Sequence, residues 1–131
     1  LCPQIHEVKE SPQAEAHDEM LAVVEGKDAA GMFLRKSGRR IDVKTKRCDS
    51  EPRPHYDCSV AAHGSKQDCD EYVFVRILHN FKRAWILGSI TKQDFYDKAK
   101  RWSRGDTDPD NNYTFRADCY NIAISELKDV A

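Results

Sequence analysis

The chain has 131 residues, of which 33% are charged, and its 21 basic and 22 acidic side chains leave a net charge of −1. This length is typical of one domain with one core, so we expect residues 1–131 to form a single domain. The balanced charge argues against nucleic acid as a partner. No apolar run approaches the roughly 18 to 20 residues that a membrane helix needs, so we expect no membrane insertion.

The N-terminal part of the chain predicts an extended segment followed by a helix. Residues 1–10 alternate loosely between polar and apolar side chains, which is typical of an edge strand or of an arm held down by Cys2. Ser11 is a good N-cap, and Pro12 is preorganised for the first helical position. The helix that these two residues begin is predicted to reach Glu25.

Three short strands are predicted next. The extended runs at residues 32–35 and 40–44 flank Ser37-Gly38, a plausible tight turn, and together they predict a β-hairpin. Residues 55–62 predict a third strand, with three side chains on one face: Tyr56, Cys58 and Val60.

The most apolar stretch of the chain runs from Asp68 to Gly88 and has two interpretations. Read at 3.6 residues per turn, its apolar side chains fall on one face, and Asp68 and Gly88 suit the two ends of an amphipathic helix. The competing interpretation takes Tyr72–Leu78 as a buried strand, because this segment is rich in β-branched and aromatic residues. We favour the helix.

The C-terminal third begins with a strong helix signal. Thr91 followed by Asp94 resembles a capping box, and the helix that it starts is predicted to end near Gly105. This helix should fold back on the central helix as an αα-hairpin. Residues 105–112 predict an acidic surface loop, and residues 113–125 fit a strand and a helix equally well.

Five cysteines are spread over the chain without a Cys-x-x-Cys pair: Cys2, Cys48, Cys58, Cys69 and Cys119. Dispersed cysteines are typical of secreted domains in which disulfides join distant segments. We therefore expect one or two disulfides, with a connectivity that spacing leaves open, and an extracellular location. The sequon Asn112-Tyr113-Thr114 adds slight support for secretion.

The predicted fold is a compact α+β domain in which two or three helices pack on a small antiparallel, disulfide-stapled sheet.

The tripeptide Arg104-Gly105-Asp106 gives a first candidate binding site, between a helix end and the acidic loop. It resembles the Arg-Gly-Asp motif of integrin-binding adhesion proteins and disintegrins. The resemblance implies that the guanidinium and the carboxylate engage a receptor from an exposed loop, whereas Gly105 is also explained as a helix C-terminal glycine.

A second candidate site comes from the order of several landmarks. A first helix, the run Met32-Phe33-Leu34-Arg35-Lys36-Ser37, then His55-Tyr56 and the helical pattern after Phe74 resemble SH2 phosphotyrosine-binding domains in their order. The resemblance implies that Arg35 binds a phosphate group through two hydrogen bonds, with Ser37 and His55 beside it. Arg35 as an ordinary exposed strand residue explains the pattern as well.

The densest group of metal-binding residue types is His55-x2-Cys58-x4-His63-x5-Cys69. Its spacing resembles that of a zinc knuckle, in which short fixed intervals close a tetrahedral site. However, His55 stands where a knuckle has a cysteine, and the last interval is one residue longer. The competing explanation is a disulfide between Cys58 and Cys69, or two unrelated bridges, with solvated histidines. We expect no metal and no cofactor.

No nucleophile elbow, glycine-rich phosphate loop or Ser/His/Asp signature is recognisable, and this favours a non-enzymatic protein. We predict a secreted interaction protein of the effector, inhibitor or receptor-ligand type, which binds another protein, a host protein or a receptor, through its surface. Two alternatives remain open. One is an intracellular recognition module, SH2-like or zinc-bearing. The other is a small secreted hydrolase or ribonuclease with His55 and His63 as its acid-base pair.

Overall fold

The computed structural model describes residues 2–8, 32–34, 39–63 and 68–130, and of residues 32–34 only the backbone. These residues form two β-sheets, one α-helix and a short 3-10 helix at Ile124–Glu126. In chain order, the other elements are β1 (His6–Val8), β2 (Met32–Leu34), β3 (Arg40–Cys48), β4 (Asp57–Ala61), β5 (Glu71–Leu78), β6 (Ala84–Thr91), α1 (Lys92–Lys98), β7 (Lys100–Trp102) and β8 (Cys119–Ala123).

The larger sheet has five strands in the order β1-β6-β5-β3-β2, and the smaller sheet has three in the order β4-β8-β7. All neighbours are antiparallel except β3 and β5, which run parallel from the pair Ile41 and Glu71 to the pair Cys48 and Leu78. Parallel strands need a crossover connection. Here the crossover contains β4, so the chain leaves the larger sheet, begins the smaller one and returns.

Two apolar clusters stabilise this arrangement. The main core lies between the sheets and combines side chains from both of them with Phe95 of α1, among them Val60, Tyr72, Phe74, Trp85, Leu87, Ile122 and Ile124. The second cluster covers the opposite face of the larger sheet and consists of Ile41, Val73, Val75, Ile77 and Ala84. The central strand β5 is therefore buried on both faces, with six consecutive buried residues.

The prediction of a central helix over Asp68–Gly88 is wrong, because this stretch forms β5, a turn and β6. The competing interpretation of Tyr72–Leu78 as a buried strand is the correct one. A strand that is covered on both faces carries a continuous apolar run instead of an alternation, and such a run also satisfies a helical period. The predicted αα-hairpin is therefore also wrong, since α1 follows a strand and not a helix.

Gly88, predicted to end the central helix, lies instead at an irregularity in β6. Phe74 pairs with Gly88 and Val75 with Ile86, so Leu87 is an extra residue in the ladder. Gly88 has a φ of +138°, and a Cβ at this position would lie 2.7 Å from the carbonyl oxygen of Lys128. The missing side chain lets residues 127–128 approach, and Ser89 and Lys128 exchange backbone hydrogen bonds of 2.7 and 2.8 Å.

Several shorter elements confirm the sequence predictions. Thr91 caps α1 and accepts a hydrogen bond from the Asp94 N–H at 3.1 Å, although the helix ends by Ala99 and not near Gly105. The predicted hairpin exists as β2 and β3, the third strand as β4 and the N-terminal edge strand as β1. The ambiguous C-terminal segment contains strand β8. The helix predicted from Ser11 to Glu25 and the turn at Ser37-Gly38 lie outside the described residues.

The predicted disulfide-stapled fold is wrong in both of its parts. All five cysteines are free, and no two of them lie at disulfide distance. Cys48, Cys58 and Cys69 are buried, whereas Cys2 and Cys119 are partly exposed. The described chain is mostly β-structure with one α-helix, not two or three helices on a sheet. The prediction of secretion depends mainly on disulfides and loses that support.

The described residues also bear on the expectation of no membrane insertion. None of their helices combines the length and the apolar character that crossing a bilayer requires.

Candidate functional site

The outer face of the smaller sheet carries a polar surface. Side chains alternate along a strand, and because Cys58 and Ile122 point into the main core, their neighbours in β4 and β8 point outward. The antiparallel register then places residues of three strands on this outer face, namely Asp57, Ser59, Lys100, Trp102, Cys119 and Asn121.

The loop between β7 and β8 is fixed against this outer face. The Trp102 ring stacks on Phe115, with ring centroids 4.7 Å apart and an interplanar angle of 18°. Backbone hydrogen bonds of 2.8 Å join Gly105 to Phe115, Phe115 to Asp106, and Asp108 to Tyr113. The loop is therefore an ordered hairpin, and it holds the Asp108 side chain inward with only 6% of the residue exposed.

Between the outer face and this loop lies a cavity of about 200 Å³, which we call the acidic cleft. Three of its side chains are carboxylates and one is an ammonium, so the cleft is negatively charged overall. Its lining consists of Asp57, Lys100, Trp102, Asp108, Pro109, Asp110 and Asn121.

The carboxylates of the acidic cleft lack cationic partners within the described part of the chain, since no lysine, arginine or histidine there forms an ion pair with Asp57, Asp108 or Asp110. Burial, and then the nearby Asp108 carboxylate, raise the pKa of the Asp57 carboxyl. Arg76 opposes this effect, but its guanidinium donates to the backbone oxygen of Asp57, at 2.8 Å. A cation entering the cleft would oppose both effects, because its charge favours the ionised carboxylate.

An ammonium group already rests on the aromatic wall of the acidic cleft. Lys100 Nζ lies 4.0 Å from the centroid of the Trp102 ring, which is the geometry of a cation–π contact. Lys100 is exposed at its strand position, so its flexible side chain can leave the ring for solvent. The wall therefore suits an organic cation, and Lys100 is the group that such a cation would displace.

Asn121 supplies the neutral polar group of the acidic cleft. Its Oδ1 accepts hydrogen bonds from Ser59 Oγ at 2.6 Å and from Cys119 Sγ at 3.6 Å. The residue is only 9% exposed, and its Nδ2 donates no hydrogen bond to any described residue. The amide N–H groups are thus available to an acceptor atom of a bound molecule.

The structure places Arg104-Gly105-Asp106 in an exposed β-turn of the same loop. The Asp106 N–H donates to the Ser103 oxygen at 3.0 Å, and Gly105 has a φ of +92° at the third position, as a type II turn requires. The Asp106 carboxylate folds back to accept from the Ser103 N–H at 2.8 Å. Receptor binding by this turn stays a prediction.

The other candidate residues from the sequence do not come together. Arg35 and Ser37 lie outside the described residues, and the Phe74 segment of the SH2-like pattern is a strand. His55 and His63 are exposed at opposite ends of β4, so they do not form the predicted acid-base pair. Within the described ranges, no three His, Cys, Asp or Glu side chains are placed to hold a metal ion.

The buried thiol of Cys58 is also unsuited to the zinc-knuckle arrangement. Burial raises the pKa of Cys58 to about 12, which keeps the thiol protonated and poor as a metal ligand. This side chain packs in the main core with Val60 and Ile122.

Sequence reasoning missed the residues of the acidic cleft, because the sequence pattern predicts a helical Trp102 and a solvated Asp108. One signal was available: if Tyr56, Cys58 and Val60 share the inner face of a strand, then its outer face carries the intervening Asp57 and Ser59.

Comparison of this chain with protein-family models, with curated proteins and with solved structures finds no match. Its function therefore has to be inferred from the residues of the acidic cleft.

Proposed function

We propose that this protein is a non-enzymatic binding protein whose acidic cleft takes a small organic ammonium ion. The observation that carries the proposal is the pair Asp57 and Asp108, two carboxylates in one cavity without a described cationic partner and with the pKa of Asp57 raised. Bringing a positive charge between two such groups favours their ionised forms and lowers their mutual repulsion.

The other walls of the acidic cleft define the rest of the ligand. The Trp102 ring attracts an ammonium through its face, and Asn121 offers N–H groups to a hydroxyl or carbonyl oxygen. The cavity of about 200 Å³ is smaller than the roughly 300 to 1,000 Å³ of sites for drug-sized ligands. The ligand class is therefore a small primary amine that carries an oxygen acceptor.

Isothermal titration calorimetry with ethanolamine tests this proposal, with ethylene glycol as the uncharged control of similar size. We expect ethanolamine to bind and ethylene glycol not to bind. Asp57→Asn and Asp108→Asn should each weaken ethanolamine binding at least about ten-fold, as removal of a charge partner in a partly buried site does. Equal affinity of the wild type and Asp57→Asn for ethanolamine would exclude the cleft as the site.

Lys100→Gln gives a more specific test, because it should raise the affinity for ethanolamine whereas the two aspartate variants should lower it. Lys100 occupies the Trp102 face that the ligand needs, so its replacement by a neutral residue should tighten ethanolamine binding. Exposed Lys98→Gln, two residues earlier and outside the cleft lining, controls for the change in net charge. Weaker binding by Lys100→Gln than by Lys98→Gln would contradict the proposed position of the ligand.

A lysine side chain of a partner protein presents the same alkylammonium group as a free amine. Nα-acetyl-lysine amide in the same titration separates the two sources. Tighter binding of this compound than of ethanolamine would assign the cleft to a protein ligand, whereas weaker binding would assign it to a free amine. Secretion, and binding of another protein through the surface, stay predictions.

A further inference from the structure

The turn between β5 and β6 exposes a large apolar side chain at its tip. Phe81 is 63% exposed, and it lies in a five-residue loop, residues 79–83, that we call the Phe81 tip. The loop is held in shape by the Phe81 N–H, which donates to the Leu78 oxygen at 2.8 Å, and by the Lys82 N–H, which donates to Asn80 Oδ1 at 2.9 Å. The ring is therefore presented by an ordered turn.

The backbone of Phe81 is in the left-handed region, with a φ of 61°. This conformation is uncommon for residues other than glycine, asparagine and aspartate, and for a bulky side chain it is a genuine outlier. A glycine or asparagine would suit the turn better, so the fold does not explain the aromatic ring. Strained backbone that persists in a stable turn is typical of functional surfaces.

The charges around the Phe81 tip indicate the partner. The Arg47 guanidinium lies 5.0 Å from the centroid of the Phe81 ring. Neither Arg47 nor Lys82 has a carboxylate partner among the described residues, whereas His79 pairs with Asp49 at 2.8 Å and Arg83 with Glu7. The exposed ring is thus flanked by two cations without carboxylate partners.

We propose that the Phe81 tip binds an acidic segment of a partner protein. An apolar side chain of that segment packs on the Phe81 ring, and its carboxylates pair with Arg47 and Lys82. A flat anionic membrane surface fits less well, because it would also face the exposed carboxylates of Asp49 and Glu51, whereas a short acidic segment can contact Arg47 and Lys82 alone. This surface shares no residue with the acidic cleft and goes beyond the function proposed for it.

Selection from a phage-displayed library of random dodecapeptides on the immobilised wild-type protein tests this inference. We expect the enriched peptides to combine aspartate or glutamate with an aromatic or aliphatic residue. Their binding, measured by fluorescence polarisation, should fall at least about ten-fold in Phe81→Asn, since loss of an interface anchor commonly costs that much. Asparagine is chosen because it tolerates positive φ and keeps the turn.

Tyr113→Asn is the matched control, because Tyr113 is the other exposed large hydrophobic residue of the described chain, at 51% exposure. We expect peptide binding to be unchanged in this variant. The paired variant Arg47→Gln with Lys82→Gln should weaken binding and flatten its dependence on salt. Enriched peptides that bind Phe81→Asn as well as the wild type, or a selection without acidic enrichment, would overturn the inference. The inference would also be overturned if the wild type cosedimented with phosphatidylserine vesicles and Phe81→Asn did not, because the tip would then bind a membrane.

Discussion

Asp57 links the candidate site to the stability of the fold. Its carboxyl lies in the acidic cleft, where burial and then Asp108 raise its pKa. A carboxyl whose pKa is raised in the folded state binds its proton more tightly there than in the unfolded chain. Its contribution to stability is therefore complete below the unfolded pKa and is lost as pH rises through the folded pKa. At neutral pH, the ionised Asp57 destabilises the protein.

We expect Asp57→Asn to be more stable than the wild type at neutral pH, because asparagine cannot ionise. The difference should shrink as the pH falls to about 3, where the aspartate is largely protonated in both folded and unfolded chains. Urea unfolding at the two pH values measures this. Asp97→Asn, at an exposed position of α1 outside the cleft lining, serves as the control and should unfold like the wild type at both. Equal urea midpoints of Asp57→Asn and the wild type at neutral pH would contradict the prediction.

Residues of this kind are poorly visible in a sequence. Asp57 and Asp108 are ordinary polar residues in their local context, and only the folded chain brings their carboxylates into one cavity. Phe81 is similar, since a phenylalanine within an apolar run predicts burial and not the tip of a turn. Their roles depend on exposure and backbone conformation, which spacing does not determine.

Among the elements, β6 has the most demanding local geometry, because Gly88 must admit the segment at 127–128. We expect Gly88→Ala to destabilise the protein by about 3 kcal/mol, from the strained φ together with overlap against Leu127 and Lys128. Gly105→Ala is the matched control. It also has a positive φ, of +92°, but a Cβ at this position would meet no heavy atom within 4 Å, so the change should cost only about 1 kcal/mol.

Thermal and urea unfolding of the two glycine variants measures the contribution of this contact. If Gly88→Ala and Gly105→Ala lose equal stability, then the loss comes from the positive φ alone, and the close approach of the C-terminal segment to β6 adds nothing to the free energy of unfolding.

The elements that sequence analysis predicted correctly are those whose signal is local. Thr91 caps α1 through a hydrogen bond to a residue three positions away, and the β2–β3 hairpin joins neighbours in the chain. Sequence analysis predicted a helix at Tyr72–Leu78, and this was wrong. The strand there lies between two others and is covered on both faces, so it has no polar side that would identify it as a strand. The three-residue strand β7 is too short to show any period.

At the scale of the whole molecule, packing and sheet pairing take the place of the expected disulfides. The cysteine spacing could not reveal this, since it carries no information on distances between thiols in the fold. Alkylation of the denatured, unreduced protein should therefore modify all five cysteines, as seen by intact mass. Alkylation of the native protein should be faster at the partly exposed Cys2 and Cys119 than at Cys48, Cys58 and Cys69, because burial protects these three.

A reducing agent should leave the melting temperature unchanged, whereas a native disulfide would contribute roughly 2 to 5 kcal/mol. An intact mass that shows fewer than five modified thiols, together with a lower melting temperature after reduction, would contradict a structure with free cysteines.

The position of β8 in the middle of the smaller sheet has a consequence for synthesis in the cell. Its partner β4 is made much earlier, and the paired residues Ser59 and Asn121 are 62 positions apart. At translation rates of about 5 to 20 residues per second, β4 waits on the order of 3 to 12 seconds for its partner. During that interval, β8 does not yet cover the side of the main core that contains Tyr72 and Phe74. We therefore expect this fold to be completed only after β8 has left the ribosome, with chaperones protecting the exposed apolar surface until then.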